Sequence, residues 1–166
     1  MDPIARKSIT INPIGRIEAS DQLGKYEVHV FPEYTEALKL LDLFSHVIVI
    51  WWAHHHDNVQ DRGILSTELP YARGTHAGVF ACRSEYRPNP IGITIMPILS
   101  MDEKTGIVTL PWIDALNDTP VLDLKPYLPS SERVRDVSVA SWCKDWPMWM
   151  EEAGEYFAAH ATDFGC

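Results

Sequence analysis

Residues 77–112 read Ala77-Gly-Val-Phe-Ala-Cys-Arg-Ser-Glu-Tyr-Arg-Pro-Asn-Pro-Ile-Gly-Ile-Thr-Ile-Met-Pro-Ile-Leu-Ser-Met-Asp-Glu-Lys-Thr-Gly-Ile-Val-Thr-Leu-Pro-Trp112. The apolar segments here are short, rich in β-branched residues and bounded by turn residues, which is the pattern of strands. Residues 77–82, 91–99 and 106–112 read as three strands, the last two joined by the turn Asp102-Glu-Lys-Thr-Gly106. Strands that follow one another with too few helices for a βαβ series predict a β-rich domain. Between the first two strands lie Arg83, Arg87, Pro88, Asn89, Pro90 and Gly92. Each proline fixes φ, lacks an N–H and pushes the residue before it, Arg87 or Asn89, toward extended geometry. Gly92 is open to backbone angles that other residues avoid. The result is a stiff loop carrying two cations and an amide, and such preorganised loops on a sheet scaffold are common ligand sites. Surface salt bridges are the plain reading of Arg83 and Arg87, but their placement around two prolines favours recognition of an anion or carboxylate.

Outward from this stretch, Ser45 to Ala53 is a β-branched and aromatic run that reads as a central strand. Lys25 to Phe31 alternates, with Tyr26, Val28 and Val30 on one side, and Ser8 to Ile14 reads as an edge strand. Pro32-Glu33 opens a helix through Phe44 with Ala37, Leu38, Leu41 and Phe44 on one face. Residues 54–76 read as a long polar loop, and Val121 to Leu124 as a further short strand. Trp142, Trp146, Trp149, Ala153, Phe157 and His160 step by three or four along a helix over 142–160, a stripe suited to core or dimer contact. The expected fold is mainly β, a β-rich α+β arrangement. It is a single small β-barrel with peripheral helices, including the aromatic C-terminal one. One domain is expected over 1–166, with its core at about 9–130 and a helical tail at about 140–162.

Composition sets outer limits. With 46% hydrophobic and 22% charged residues in a chain of 166, an ordinary globular core is expected. The net charge of −9 counts against a DNA-coating role, because nonspecific affinity comes from neutralising phosphates. Arg62, Arg73, Arg83 and Arg87 still make a local basic patch that suits a specific RNA contact. Cys82, Cys143 and Cys166 are an odd number at no metal spacing, which predicts reduced thiols and a cytoplasmic protein. No signal-peptide pattern and no membrane-length apolar run is present. Nor is there a dinucleotide fingerprint, a P-loop, a nucleophile elbow or a zinc-ligand cysteine pair.

Two further segments carry chemistry-bearing residues. His54-His-His-Asp-Asn58 follows the central strand. On an extended chain His54 and His56 share a face and, with Asp57 or His76, would make a metal set. A single histidine in a substrate pocket and a solvated strand end are the other readings. Asp114 to Pro129 holds Asp114, Asp118 and Asp123, with Lys125 and Tyr127 on the alternating phase of Asp123. Turn chemistry accounts for Asn117-Asp118-Thr-Pro120, yet this density of polar groups in an apolar strand environment favours a pocket.

The stretches Gly78 to Gly92 and Asp114 to Tyr127 resemble the TsaA-like family, also called YaeB or TrmO. Its pattern is G-V-F-A-x-R-S-P-x-R-P-N-P-I-G followed by D-x-L-D-G-T-P-V-L-D-I-K-P-Y. Ile14-Gly-Arg-Ile17, Phe44-Ser-His46 and the strand ending at His54 are similar to further landmarks, so that the resemblance covers about residues 9–130. It implies a single-sheet barrel that binds S-adenosylmethionine, works as a homodimer and methylates N6 of threonylcarbamoyladenosine beside the tRNA anticodon. The cofactor wall it implies is Phe80, Ala81, Cys82, Arg83, Arg87, Pro88 and Asn89, with Leu116, Asp118, Thr119, Pro120 and Val121 opposite. Candidates for the proton-accepting group are His54, Asp114, Asp118 and Tyr127; Lys125 and Arg73 fall to the acceptor substrate, and no metal is required. The sequence departs from the pattern at Glu85, where proline is common, and at Asn117, read here at the glycine position. The region between Arg16 and Val28 is short and lacks a P-R-Q segment, and an aromatic tail follows residue 130 where the bacterial type has an extra domain. The acidic balance keeps a second substrate class open, a small metabolite methylated on nitrogen. A non-catalytic S-adenosylmethionine-binding module and a metal-dependent hydrolase built on the histidine cluster are the other classes.

Overall fold

The computed structural model describes residues 8–160. Nine strands form in chain order: β1 (Gly15–Ser20), β2 (Lys25–Val30), β3 (His46–Trp52), β4 (Ser66–Glu68), β5 (His76–Gly78), β6 (Ile91–Pro97), β7 (Ser100–Asp102), β8 (Ile107–Leu110) and β9 (Pro120–Pro126). Seven of them make one antiparallel sheet in the order β6-β3-β9-β1-β2-β8-β7, and β4 and β5 make a separate pair. The mainly β expectation therefore holds, but the hydrogen-bonded ladder does not close into a barrel. The outer strands β6 and β7 do not pair with each other among the described residues. They are joined through the backbone instead. Ile98 N–H donates to the carbonyl of Ser45, beside β3, at 2.9 Å, and Leu99 N–H donates to that of Thr109, in β8, at 2.9 Å. Neighbouring residues thus bond to opposite ends of the sheet order, which forces the sheet to curl round on itself. This is the corner arrangement in which one strand changes partners.

The core lies inside that curl. Ile17, Val28, Val30, Val47, Val49, Val108, Leu110, Ile113 and Val121 are buried together, with Leu38 and Leu41. β3 sits between β6 and β9, and its alternate residues Val47, Val49 and Trp51 face inward. Gly92 is paired with Trp51 across the sheet, and a Cβ there would strike the Trp51 ring. Its lack of a side chain serves close packing rather than the unusual backbone angle expected of it. Trp51 is fixed in turn by donating its indole N–H to Thr94 Oγ1 at 3.0 Å.

Several local expectations are revised. Ser8 to Ile14 is not a strand; the first strand is β1, and it lies inside the sheet, paired with β2 on one side and β9 on the other. Residues 32–44 form two 3₁₀ turns, Pro32–Leu38 and Leu41–Leu43, broken at Leu40, which has φ 68°. A left-handed residue cannot continue a right-handed helix. Leu38 and Leu41 are buried as expected, whereas Ala37 and Phe44 are exposed. The strand expected over 77–82 stops at Gly78, and Val79–Ala81 forms a 3₁₀ turn. The polar segment 54–76 holds a 3₁₀ turn at His54–His56, the short helix α1 (Val59–Arg62), and β4. After the single turn α2 (Pro129–Glu132), the aromatic helix forms only in its second half, as α3 (Met150–Ala159), preceded by a turn at Ser141–Cys143. Its Trp146 packs edge-on against Tyr71 and Phe157 at 5.0 and 5.1 Å, which holds the tail to the loop before β5. The lead-in 1–7, residues 161–162 of the expected tail and Cys166 lie outside the described residues; Cys82 and Cys143 are free thiols. Among the described residues no helix is long and apolar enough to cross a membrane.

Filling the space under Trp51 tests this packing. Gly92→Ala should lower stability by about 1–3 kcal/mol through overpacking, read by chemical denaturation and an altered tryptophan emission. Unchanged stability would contradict the close approach.

Candidate functional site

The site is built at the C-terminal end of β3. Trp52 pairs with Ile91 and Trp51 with both Gly92 and Val121. The proline loop 83–90 runs into β6, and the segment 114–119 runs into β9. Both therefore arrive on either side of the residues that follow β3, the histidine turn. Ala53 N–H donates to the Pro90 carbonyl at 2.8 Å and seals the junction.

The histidine turn then divides its side chains. A 3₁₀ turn has three residues per turn, so His54 and His56 do not share the face that an extended chain would give them. His54 Nδ1 lies 3.4 Å from Thr119 Oγ1, in the second signature segment. His56 Nδ1 pairs with Asp61 Oδ2 at 3.0 Å, its Nε2 lies 3.8 Å from Glu85, and its ring packs against Tyr86 at 4.5 Å. One turn thus touches both signature segments. It does not assemble the metal set considered for it. Among the described residues the one group that converges with ligand geometry is Glu18, Glu27 and His29 on the β1–β2 hairpin. Lys25 already lies between those glutamates at 2.6 and 3.2 Å.

The second segment is stapled to β1. Asp118 N–H donates to the Ile17 carbonyl at 2.8 Å, Ile17 N–H to that of Thr119 at 2.9 Å, and Ala19 N–H to Asn117 Oδ1 at 3.2 Å. Arg16 reaches the Asp118 carboxylate at 2.8 Å. The left-handed residue of this turn is Asp118, with φ 61°, so the position needing glycine-like freedom is Asp118 and not Asn117. Aspartate tolerates that region better than most side chains do.

Two of the four arginines of the basic patch are spent on the loop itself. Arg87 Nη2 donates to the Val79 carbonyl at 2.8 Å, an oxygen that Cys82 Sγ also approaches at 3.6 Å. This carbonyl is taken by side chains at the point where β5 ends and the Val79–Ala81 turn begins. Arg62 donates to the Pro88 carbonyl at 2.9 Å and pairs with Asp57 at 2.8 Å. Arg83 makes no such bond among the described residues and is exposed, as are Asn89, Phe80 and Leu116. Phe80 is 83% and Leu116 62% exposed, unusual for such apolar side chains, and each lies within one of the two signature segments. Ala81 lies in the Val79–Ala81 turn, Pro88 is half-buried in the loop, and Thr119 and Val121 are buried where β9 begins at Pro120.

Electrostatics mark two groups. Burial first, then the neighbouring His55, holds His54 below the ordinary histidine range, against the opposing pull of Asp118. It is neutral at pH 7 and free to accept a proton. Desolvation first, then the Glu85 carboxylate, pushes the Asp114 carboxyl above its ordinary range even though it keeps contact with solvent. That coupling also joins the two segments, since Glu85 belongs to the proline loop. Tyr127, Lys125 and Arg73 lie elsewhere. Tyr127 N–H bonds to the carbonyl of His46 at the start of β3, roughly 20 Å of strand from the histidine turn. Lys125 pairs with Asp123 at 2.7 Å on the outer sheet face, and exposed Arg73 sits in the β4–β5 connection. Arg16, Glu85 and Arg62 were not among the site residues expected from the sequence; only the Ile14-Gly-Arg-Ile17 landmark pointed to Arg16.

A carboxyl whose proton is held more tightly in the folded than in the unfolded chain adds stability below its unfolded pKa. It loses that contribution as pH rises through the folded value. Asp114→Asn should therefore match the wild type near about pH 3 and exceed it at neutral pH in denaturant titrations. A difference that stays constant with pH would contradict the environment described.

Residues 13–133 match the family model of the tRNA-methyltransferase O N-terminal domain. A protein of Methanothermobacter thermautotrophicus named "Probable S-adenosyl-L-methionine-binding protein" is 39% identical over 101 residues, which are 61% of this chain and 68% of that one. One of the same name from Pyrococcus abyssi is 36% identical over 149 residues, 88% of this chain and 76% of that one. The tRNA (adenine(37)-N6)-methyltransferase of Escherichia coli is 35% identical over 127 residues, 73% of this chain but only 52% of that enzyme. A crystal structure of TrmO from Pseudomonas aeruginosa superposes with a TM-score of 0.62 at 25% identity, covering 95% of this chain and 79% of that one.

Proposed function

The chain belongs to the family of the tRNA-methyltransferase O N-terminal domain, and from this we propose that it is an S-adenosylmethionine-dependent methyltransferase acting on N6 of an adenosine next to a tRNA anticodon. The finer assignment, threonylcarbamoyladenosine as the methylated base, belongs to the same proposal. The observation that carries the reading is the meeting of both signature segments on one histidine turn at the end of β3.

The groups that these segments carry fit the cofactor's chemistry. Exposed Phe80 and Leu116 offer apolar surface to a nucleoside, exposed Asn89 offers an amide, and Arg83 offers a cation to the amino-acid carboxylate. When bound, S-adenosylmethionine supplies a methyl group on a sulfonium, a carbon already activated for displacement. Positioning then supplies most of the rate. The chain's own task is to hold the loop still and to take a proton from the attacking nitrogen. Neutral His54 and the raised Asp114 carboxyl are the groups suited to take it. Asp118 is engaged by Arg16, and Tyr127 stands at the far end of β9.

The homodimer is part of the proposal and has support in the sheet. On the face opposite the core, Ile48, Ile50 and Trp52 of β3 lie across from Ile95, Ile93 and Ile91 of β6. Ile93 is 52% exposed, and Asp123 and Lys125 border the same face. An apolar sheet face with a pair of opposite charges at its rim suits a self-complementary twofold contact. The domain proposed here spans the whole sheet with the aromatic tail attached, and its setting is the cytoplasm, where tRNA is found.

Labelled S-adenosylmethionine incubated with total tRNA should transfer its methyl group, and His54→Ala should lower the single-turnover rate by about 10²-fold or more. Label that moves only to small molecules would favour the metabolite reading, and binding without turnover the sensor reading. Ile93→Glu should halve the mass seen by light scattering. A wild-type mass near that of one chain, 18.8 kDa, would remove the dimer.

A further inference from the structure

Arg62 lies 26 and 27 residues before the two loop residues it touches. Its guanidinium is a fork with three engaged nitrogens: Nε donates to the Pro88 carbonyl at 2.9 Å, Nη1 to Asp57 Oδ1 at 2.8 Å, and Nη2 to Asn89 Oδ1 at 3.4 Å. Asp57 is in turn held by the indole N–H of Trp52 at 3.1 Å, and the guanidinium lies 5.9 Å from the centre of that Trp52 ring. Trp52 is the last residue of β3 and pairs with Ile91, directly after the loop. The fork is therefore anchored on the sheet and grips the loop from one side.

Arginine has donors only. The end of the Asn89 side chain that faces it must be the carbonyl oxygen, so the NH₂ end points away from Arg62. Asn89 is exposed, and among the described residues its Nδ2 has no hydrogen-bond partner. We propose that Arg62 is a positioning residue of the cofactor site, which turns Asn89 so that it presents a hydrogen-bond donor, not an acceptor, to the bound molecule. The inference rests on the cofactor assignment of the proline loop given above. The matching chemistry is an acceptor atom, present in S-adenosyl compounds both on the purine ring and on the amino-acid carboxylate. Lysine cannot replace this arginine. A single ammonium on a flexible stem does not span three acceptors in one plane.

Calorimetric titration with S-adenosylhomocysteine tests this on the whole 166-residue chain. Asn89→Asp keeps an acceptor for Arg62 but loses the donor. It should melt at or above the wild-type temperature and bind at least about tenfold more weakly. Arg62→Ala and Arg62→Lys should each weaken binding by about tenfold, and adding Arg62→Ala to Asn89→Ala should change affinity less than twofold, because one residue acts through the other. Under turnover the Arg62 variants should raise KM for the cofactor and leave kcat at saturation nearly intact. Methylthioadenosine, which lacks the amino acid, locates the acceptor. An Asn89→Asp penalty that persists places it on the nucleoside, and one that vanishes places it on the carboxylate; both support the donor role. Wild-type affinity in Asn89→Asp, or losses from Arg62→Ala and Asn89→Ala that multiply in the double variant, would overturn the inference. Should Arg62→Ala fail to fold, Asn89→Asp decides alone. A wild type that does not bind S-adenosylhomocysteine would remove the proposed function and this inference together, whereas wild-type binding with insensitive variants removes only the inference.

Discussion

β3 is hydrogen-bonded on both sides, to β6 and to β9, over nearly its whole length. A strand paired on both edges has no freedom to slide, because a one-residue slip would turn Val47 and Val49 out of the core. Its last residues are therefore a fixed reference for two other chain segments. The loop entering β6 and the turn entering β9 must both begin beside Trp51 and Trp52. The segments of the candidate site are placed by that pairing: the histidine turn because it follows β3, the proline loop because it leads into β6, and the Asp118 turn because it leads into β9.

Around that fixed end, charge is divided between holding and binding. Arg16 secures the Asp118 turn, Arg87 the 3₁₀ turn at Val79, and Arg62 the proline loop. Exposed ion pairs contribute little to stability singly, so their value here lies in limiting the loop's conformations before a ligand arrives. Ordering entropy lost in advance is not lost on binding. Arg83 is exposed and takes no part in these braces. The acidic residues nearby are tied to one another: Asp61 and Glu85 both contact His56, and the Glu85 carboxylate helps to hold the Asp114 carboxyl above its ordinary range. A net charge of −9 is compatible with a tRNA substrate only if contact is local, and the arrangement of these groups is local.

The curled sheet explains why strands were legible and closure was not. Alternation in Lys25–Val30 and the β-branched run in β3 report burial on particular faces, and burial is a local consequence of side-chain chemistry. Whether the outer strands pair is decided by where Ile98 and Leu99 send their N–H groups, to Ser45 and Thr109, and no residue type encodes that choice. The helix ends failed for a similar reason. Leu40 in a left-handed conformation and the Val79 carbonyl captured by Arg87 are tertiary events that override propensity.

For the site, the sequence alone determined which residues are chemically able to act and which loop is stiff, since proline and glycine constraints are intrinsic to the residue. It also carried two signature patterns long enough to identify a family. Only the tertiary structure decided their roles. It separated His54 from His56, moved the left-handed position to Asp118, sent Tyr127 to the other end of β9 and showed that Arg62 and Arg87 are internal braces. The physical reason is reach. A side chain's function depends on what lies within a hydrogen bond of it, and in this fold those neighbours come from chain segments tens of residues apart.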